Sequence, residues 1–109
     1  MTENSKILER VYSVIESRKG SDPESSYTAL LLSQGMPEIA RKVGEESVET
    51  ITAALAGENK HVVAESADLL FHLLVLWSEK GVTPEEIWAE LIRREGTSGI
   101  EEKTARPKN

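Results

Sequence analysis

The chain has 109 residues, enough for one domain with one core, and its 39% hydrophobic and 29% charged residues describe a folded chain rather than a disordered one. A formal net charge of −6 argues against non-specific nucleic-acid binding, which depends on clustered Lys and Arg, while a nucleotide carried with its metal stays compatible. The absence of Cys removes disulfides, zinc thiolate sites and thiol catalysis together. Residues 2–6 are polar and do not read as a signal peptide. The longest apolar run, residues 69–77, is interrupted by His72 and too short to cross a bilayer, so the expected location is cytoplasmic, with no membrane partner.

Ile7, Leu8, Val11, Val14 and Ile15 recur at helical spacing and predict a first amphipathic helix that stops at residues 17–20. Residues 20–26 are loop chemistry, rich in Gly, Pro, Asp and Ser. A short helix over residues 27–34 follows, with Ser25 or Ser26 as N-cap and Gly35 as its stop. Pro37 suits the first turn of the next helix, whose apolar stripe Ala40, Val43, Gly44, Val48, Ile51 and Leu55 runs to about residue 56 before Gly57. The opposite face carries Lys42, Glu45, Glu46 and Glu49, then Ala53 and Ala56. Small residues there suit a close approach, although Ala is also the best helix former.

Residues 60–80 form a third long helix, apolar around most of its circumference, so it is expected to be buried in its own domain or in an oligomer interface. Gly81 closes it. Thr83-Pro84-Glu85-Glu86 has the form of a capping box and opens a fourth long helix with Ile87, Trp88, Leu91 and Ile92 facing inward, ended by Gly96. Residues 97–109 are a polar tail, partly frayed. No alternating strand pattern or internal repeat competes, and the expectation is an all-α, four-helix bundle-like single domain spanning residues 1–109. Trp77 and Trp88 are read as core or interface aromatics.

Chemistry concentrates in five carboxylates. Glu45, Glu46 and Glu49 share one helix face, and Glu65 and Asp68 share another, so an antiparallel pairing of the two helices would bring them together. Like charges gathered without cationic neighbours repel and raise one another's proton affinity unless a hard cation sits among them. Oxygen-only donors favour Mg²⁺, Mn²⁺ or Ca²⁺ over zinc. A single Glu-x-x-Glu pair signals nothing, since Lys42 with Glu46 could be an ordinary helix-surface pair. The combination is more specific, and Asp68 is the member least suited to a mid-helix position beside an apolar run.

Glu45-Glu46-Ser47-Val48-Glu49 followed by Glu65-Ser66-Ala67-Asp68 resembles the metal-binding signature of the MazG-like all-α nucleoside triphosphate pyrophosphohydrolases. Within that superfamily, residues 17–19, 22–28, 42–46 and 65–73, with Ser-Gly-Ile-Glu-Glu-Lys at 98–103, are similar to the phosphoribosyl-ATP pyrophosphohydrolase family. The match runs from about residue 8 to residue 103. It implies a dimeric or larger assembly of the MazG-like fold and, with no fused cyclohydrolase domain, Mg²⁺-dependent hydrolysis of phosphoribosyl-ATP to phosphoribosyl-AMP and pyrophosphate in the second step of histidine biosynthesis.

On that resemblance, Glu46, Glu49, Glu65 and Asp68 are the expected Mg²⁺ ligands, with Glu45, Glu46 and Glu49 as the catalytic acids and Glu45 in a water-orienting or outer role. Arg18, Lys19, Ser25, Ser26, Tyr27, Thr28 and Lys42 are expected to bind the substrate's phosphates. Ser25, Ser26, Tyr27 and Thr28 could equally cap a helix and fill a turn. His72 reads as a hydrogen-bonded structural residue and His61 as a surface or core one. A house-cleaning enzyme acting on free nucleoside triphosphates would share the acids without needing residues 18–28, and a non-catalytic helical module would need neither.

Overall fold

The computed structural model describes residues 3–96 and Gly99. A 3₁₀ turn, Glu3–Lys6, leads into α1 (Ile7–Ser17), followed by α2 (Tyr27–Gln34), α3 (Met36–Ala56), α4 (Asn59–Lys80) and α5 (Pro84–Arg94). No strand occurs among the described residues, so the fold is all-α, with four long helices and the short α2. The expected tail at 97–109, with its 98–103 motif, lies outside the described residues except for Gly99.

Local chemistry explains each boundary. The Ser26 side chain accepts from the Ala29 N–H at 2.9 Å and caps α2. Gly35, at φ 85°, turns the chain from α2 directly into α3, a conformation that a side chain would strain. Gly81 is left-handed, and the Val82 N–H reaches back to the Trp77 carbonyl at 2.9 Å, closing α4 as a Schellman turn. Thr83 and Glu86 complete the capping box of α5, with Pro84 just inside.

The core gathers Ile15 from α1, Leu31 from α2, Ile39 from α3, and Leu74 and Val75 from α4, with Leu8, Val11, Leu32, Phe71, Leu76 and Trp77 around them. α4 is therefore the central element, touching α1, α2 and most extensively α3. By length and hydropathy it could cross a membrane, a property that the core helix of a soluble protein shares. Here it is packed against three helices and carries Glu65, Asp68 and buried His72. Long-range polar ties fix α1 to the C-terminal end of α4 and the turn after it: Ser78 Oγ donates to Glu16 Oε2 at 2.5 Å, and the Tyr12 hydroxyl donates to the Val82 carbonyl at 2.8 Å. Trp77 meets Trp88 edge-on at 6.3 Å, placing both tryptophans at the α4–α5 contact.

Two sequence expectations are corrected. The buried positions of α3 are Ile39, Glu46 and Ala53, spaced by seven residues along the seam against α4. The predicted apolar stripe points away: Val48 is 62% exposed, Ile51 58% and Leu55 84%, with Ala40 and Gly44 also exposed. On α5, Leu91 and Ile92 are exposed while Ile87 and Trp88 are half-buried, because contact with α1 takes only one side of that helix. Periodicity found the apolar faces but could not say which of them a neighbour within the chain covers.

Candidate active site

The two-residue link Gly57-Glu58 folds α4 back along α3, and the acids converge across the pair. Glu45, Glu46 and Glu49 offer carboxylate oxygens within 4.8 Å of one another, and so do Glu46, Glu65 and Asp68. Glu46 belongs to both groups and is only 6% exposed. Its Oε1 and the Oε1 of Glu65 are buried without a hydrogen-bond partner. Such atoms are costly unless something outside the protein's own groups meets them. Glu65 holds its proton above the ordinary carboxylate range, first because burial disfavours its charge, then because of the Glu49 carboxyl beside it, with Glu46 and Asp68 adding repulsion.

The cluster is not free of cations. Lys42 Nζ lies 2.7 Å from Glu45 Oε1, and Arg41 Nη1 lies 3.0 Å from Glu45 Oε2. Both hold the Glu45 carboxyl below its usual range. Lys42 reaches Glu46 only at 4.0 Å, so the cations serve the rim of the site and leave its centre anionic. The burial of the acids also differs from expectation. Asp68 is exposed, and the acid that needs explaining is Glu46, because the seam of α3 carries it inward.

The remaining predicted residues divide between two places. Ser25 Oγ donates to the Asp22 carbonyl and Ser26 caps α2, so both do the turn work that was the plainer reading; Thr28 is half-buried in the first turn of α2. Tyr27 is brought to the site, its hydroxyl 2.8 Å from His72 Nε2, one turn along α4 from Asp68. Lys19 is not at the acids. Its Nζ contacts Glu16 at 3.0 Å and the Ser78 carbonyl at 3.0 Å, about 15 Å along α4 from Asp68 at 1.5 Å per residue. Arg18 stands exposed next to it.

A cavity of about 370 Å³ adjoins the acids, lined by Glu49, Thr52, Ala53, Ala56, Gly57, His61 and Glu65. Ala53 and Ala56 were visible in the sequence as small residues on an acidic face. The Tyr27–His72 contact was not, since 45 residues separate its partners and no local pattern signals it.

Residues 8–95 match the family model described as phosphoribosyl-ATP pyrophosphohydrolase. A phosphoribosyl-ATP pyrophosphatase of Paramagnetospirillum magneticum is 58% identical over 108 residues, covering 99% of each chain. One from Gluconobacter oxydans is 52% identical, covering 94% of this chain and 77% of its own, and one from Azospirillum brasilense is 53% identical, covering 92% and 90%. With a matching fold, an acid cluster across two helices and relatives that span nearly its whole length, the chain belongs to the phosphoribosyl-ATP pyrophosphohydrolase family.

Proposed function

We propose that the chain hydrolyses the α–β phosphoanhydride of phosphoribosyl-ATP with Mg²⁺ at the acid cluster, yielding phosphoribosyl-AMP and pyrophosphate for histidine biosynthesis. The observation that carries the reading is the pair of buried, unpartnered oxygens on Glu46 and Glu65 within a set made only of carboxylates. That donor set fits a small hard divalent cation. Glu46, Glu49, Glu65 and Asp68 would hold it. When bound, such an ion neutralises triphosphate charge and stabilises the departing pyrophosphate.

The chain's own groups do the rest. Glu45, with both oxygens held by Arg41 and Lys42 and its proton affinity lowered, is a poor proton acceptor and serves to aim the Lys42 ammonium at the phosphates. Glu49 is exposed and lines the cavity, which leaves it accessible to an incoming water. Arg18 and Lys19 offer positive charge at a distance from the acids that suits the substrate's remote ribose phosphate, the feature that distinguishes phosphoribosyl-ATP from ATP. The exposed Val48, Ile51 and Leu55 support a homodimer, and the biosynthetic role of the relatives supports a location in the cytoplasm.

Purified protein incubated with Mg²⁺ and phosphoribosyl-ATP, with ATP and deoxynucleoside triphosphates in parallel, tests the reading. Phosphoribosyl-AMP and pyrophosphate should form far faster than products from the simple nucleotides. Preference for a simple triphosphate would make the chain a house-cleaning enzyme. Replacing Arg18 and Lys19 together by Ser should weaken use of phosphoribosyl-ATP more than any residual use of ATP.

A further inference from the structure

The cavity beside the acids is lined by two polar side chains that the proposed chemistry leaves unused, Thr52 on α3 and His61 on α4, both exposed. Among the described residues, neither side chain makes a hydrogen bond or an ion pair within the chain. A hydroxyl always offers an O–H, and an imidazole offers an N–H in either tautomer or as the cation, so two donors face the cavity whatever the protonation state. Gly57 holds the ring in place. Its φ of −109° and ψ of −175° are extended values that any residue adopts, so the backbone does not call for glycine there. Space does: a Cβ at Gly57 would stand 3.0 Å from the Ala53 carbonyl oxygen and 3.2 Å from His61 Nδ1. The bare Cα lets the imidazole lie against the turn between α3 and α4, at the wall of the cavity.

Position along α4 assigns what those donors meet. Lys19 contacts Ser78, on the C-terminal side of Asp68, whereas His61 lies one turn before Glu65, about 6 Å toward the N-terminal end. The acids stand between the two. With the α–β bond at the acids and the remote ribose phosphate toward Lys19, the nucleoside takes the C-terminal direction and the β- and γ-phosphates are left the other. Resting on the activity proposed above, we propose that this cavity seats the leaving pyrophosphate, with Thr52 and His61 donating to its oxygens and Gly57 positioning the His61 ring. Phosphate oxygens only accept, and the Glu49 and Glu65 carboxylates in the same wall cannot meet them without a cation. The two donors are therefore what the chain itself offers to that end of the substrate.

Calorimetric binding of inorganic pyrophosphate and, separately, of phosphoribosyl-AMP, each with Mg²⁺, tests this without turnover. His61→Ala, at an exposed position, should keep the parental fold and weaken pyrophosphate binding roughly five- to tenfold, the size of one net hydrogen bond, while phosphoribosyl-AMP binds as it does to the parent. Thr52→Val should act in the same sense. His61→Gln, which retains an N–H donor, should recover most of the loss. Gly57→Ala should also weaken pyrophosphate binding by displacing the ring, and should add little in combination with His61→Ala, because its effect runs through that ring. Unchanged pyrophosphate affinity in His61→Ala, or an equal loss for both products, overturns the inference. A loss confined to phosphoribosyl-AMP puts the nucleoside in the cavity and overturns it as well. None of these measurements uses hydrolysis, so failure of the proposed activity shows separately in the turnover assay.

Discussion

The two faces of α3 invert the usual arrangement of a surface helix. The face turned into the protein, along α4, buries Glu46 with Ile39 and Ala53 and holds Glu49 at its exposed edge, while the face turned out carries Val48, Ile51 and Leu55. A helix stabilised only by its own domain would bury the aliphatic residues and solvate the acids. Turning it the other way forgoes roughly 1.5–3 kcal/mol for each aliphatic side chain left in water and collects repelling charges along the seam. Such an arrangement is reasonable when a cation offsets the inner face and a second copy covers the outer one. The two faces thus ask for different partners, and each can be tested alone.

The largest effect is expected on the inner face. Glu46→Ala and Asp68→Ala each delete a carboxylate from the set around Glu65, and turnover should fall by more than the roughly 10–100-fold that loss of an outer partner costs a metal site. The fold should survive, because removing a charge relieves repulsion; circular dichroism and melting would check this beside the kinetics. Near-parental turnover in either variant with Mg²⁺ present would remove that residue from the site.

On the outer face, Ile51→Asp places a charge where the single chain leaves the side chain 58% exposed. Monomer folding should hardly change. If that face is the homodimer contact, burying an unpaired charge there should raise the dimer dissociation constant on the order of 10²-fold. Sedimentation of parent and variant over a dilution series measures it, and indistinguishable profiles would leave the aliphatic face without its second copy.

This division also separates what could be read from the sequence. The helix boundaries were legible because their signals are local: Ser26, Gly35, Gly81 and the Thr83–Glu86 box each act within a few residues. The acids were legible because helical spacing alone puts Glu46 beside Glu49, and Glu65 beside Asp68. Which face of α3 lies inward was not, since aliphatic periodicity marks burial in an assembly as readily as burial in a domain. The Lys19 contact with Ser78, 59 residues away, and the Tyr27–His72 bond depend on tertiary packing, so residues 18–28 read as one anion site when Lys19 and Tyr27 meet α4 about 9 Å apart along its axis.

A smaller effect links the inner face to stability. A cation that binds only the folded arrangement stabilises it by mass action, about 2.7 kcal/mol at one hundred times its dissociation constant. Mg²⁺ should therefore raise the melting temperature of the parent, and raise that of Asp68→Asn much less. Without metal, the variant should melt no lower than the parent. Titrations at constant ionic strength, with Na⁺ compensating, separate binding from screening. Equal rises in both proteins would mean that Asp68 holds no ion.

The finest distinction is a pH dependence carried by Glu65. Its proton affinity in the folded chain is raised, by burial first and then by Glu49, so the folded state holds this proton more tightly than the unfolded state does. The stability it contributes is fully present below the unfolded value and is lost as pH rises through the folded one. Glu9, Glu16, Glu38 and Glu45 are shifted the other way and lose their contribution as pH falls, but they are common to parent and Glu65→Gln and cancel in the difference. In metal-free buffer, the melting temperature of the parent should therefore drop relative to Glu65→Gln as pH rises from about 4 to about 8. Saturating Mg²⁺ should shrink that drop, since a cation compensates the ionised carboxylate. A constant difference across the range, with and without Mg²⁺, would show that Glu65 feels neither its neighbours nor an ion, and would return the inner face of α3 to ordinary packing.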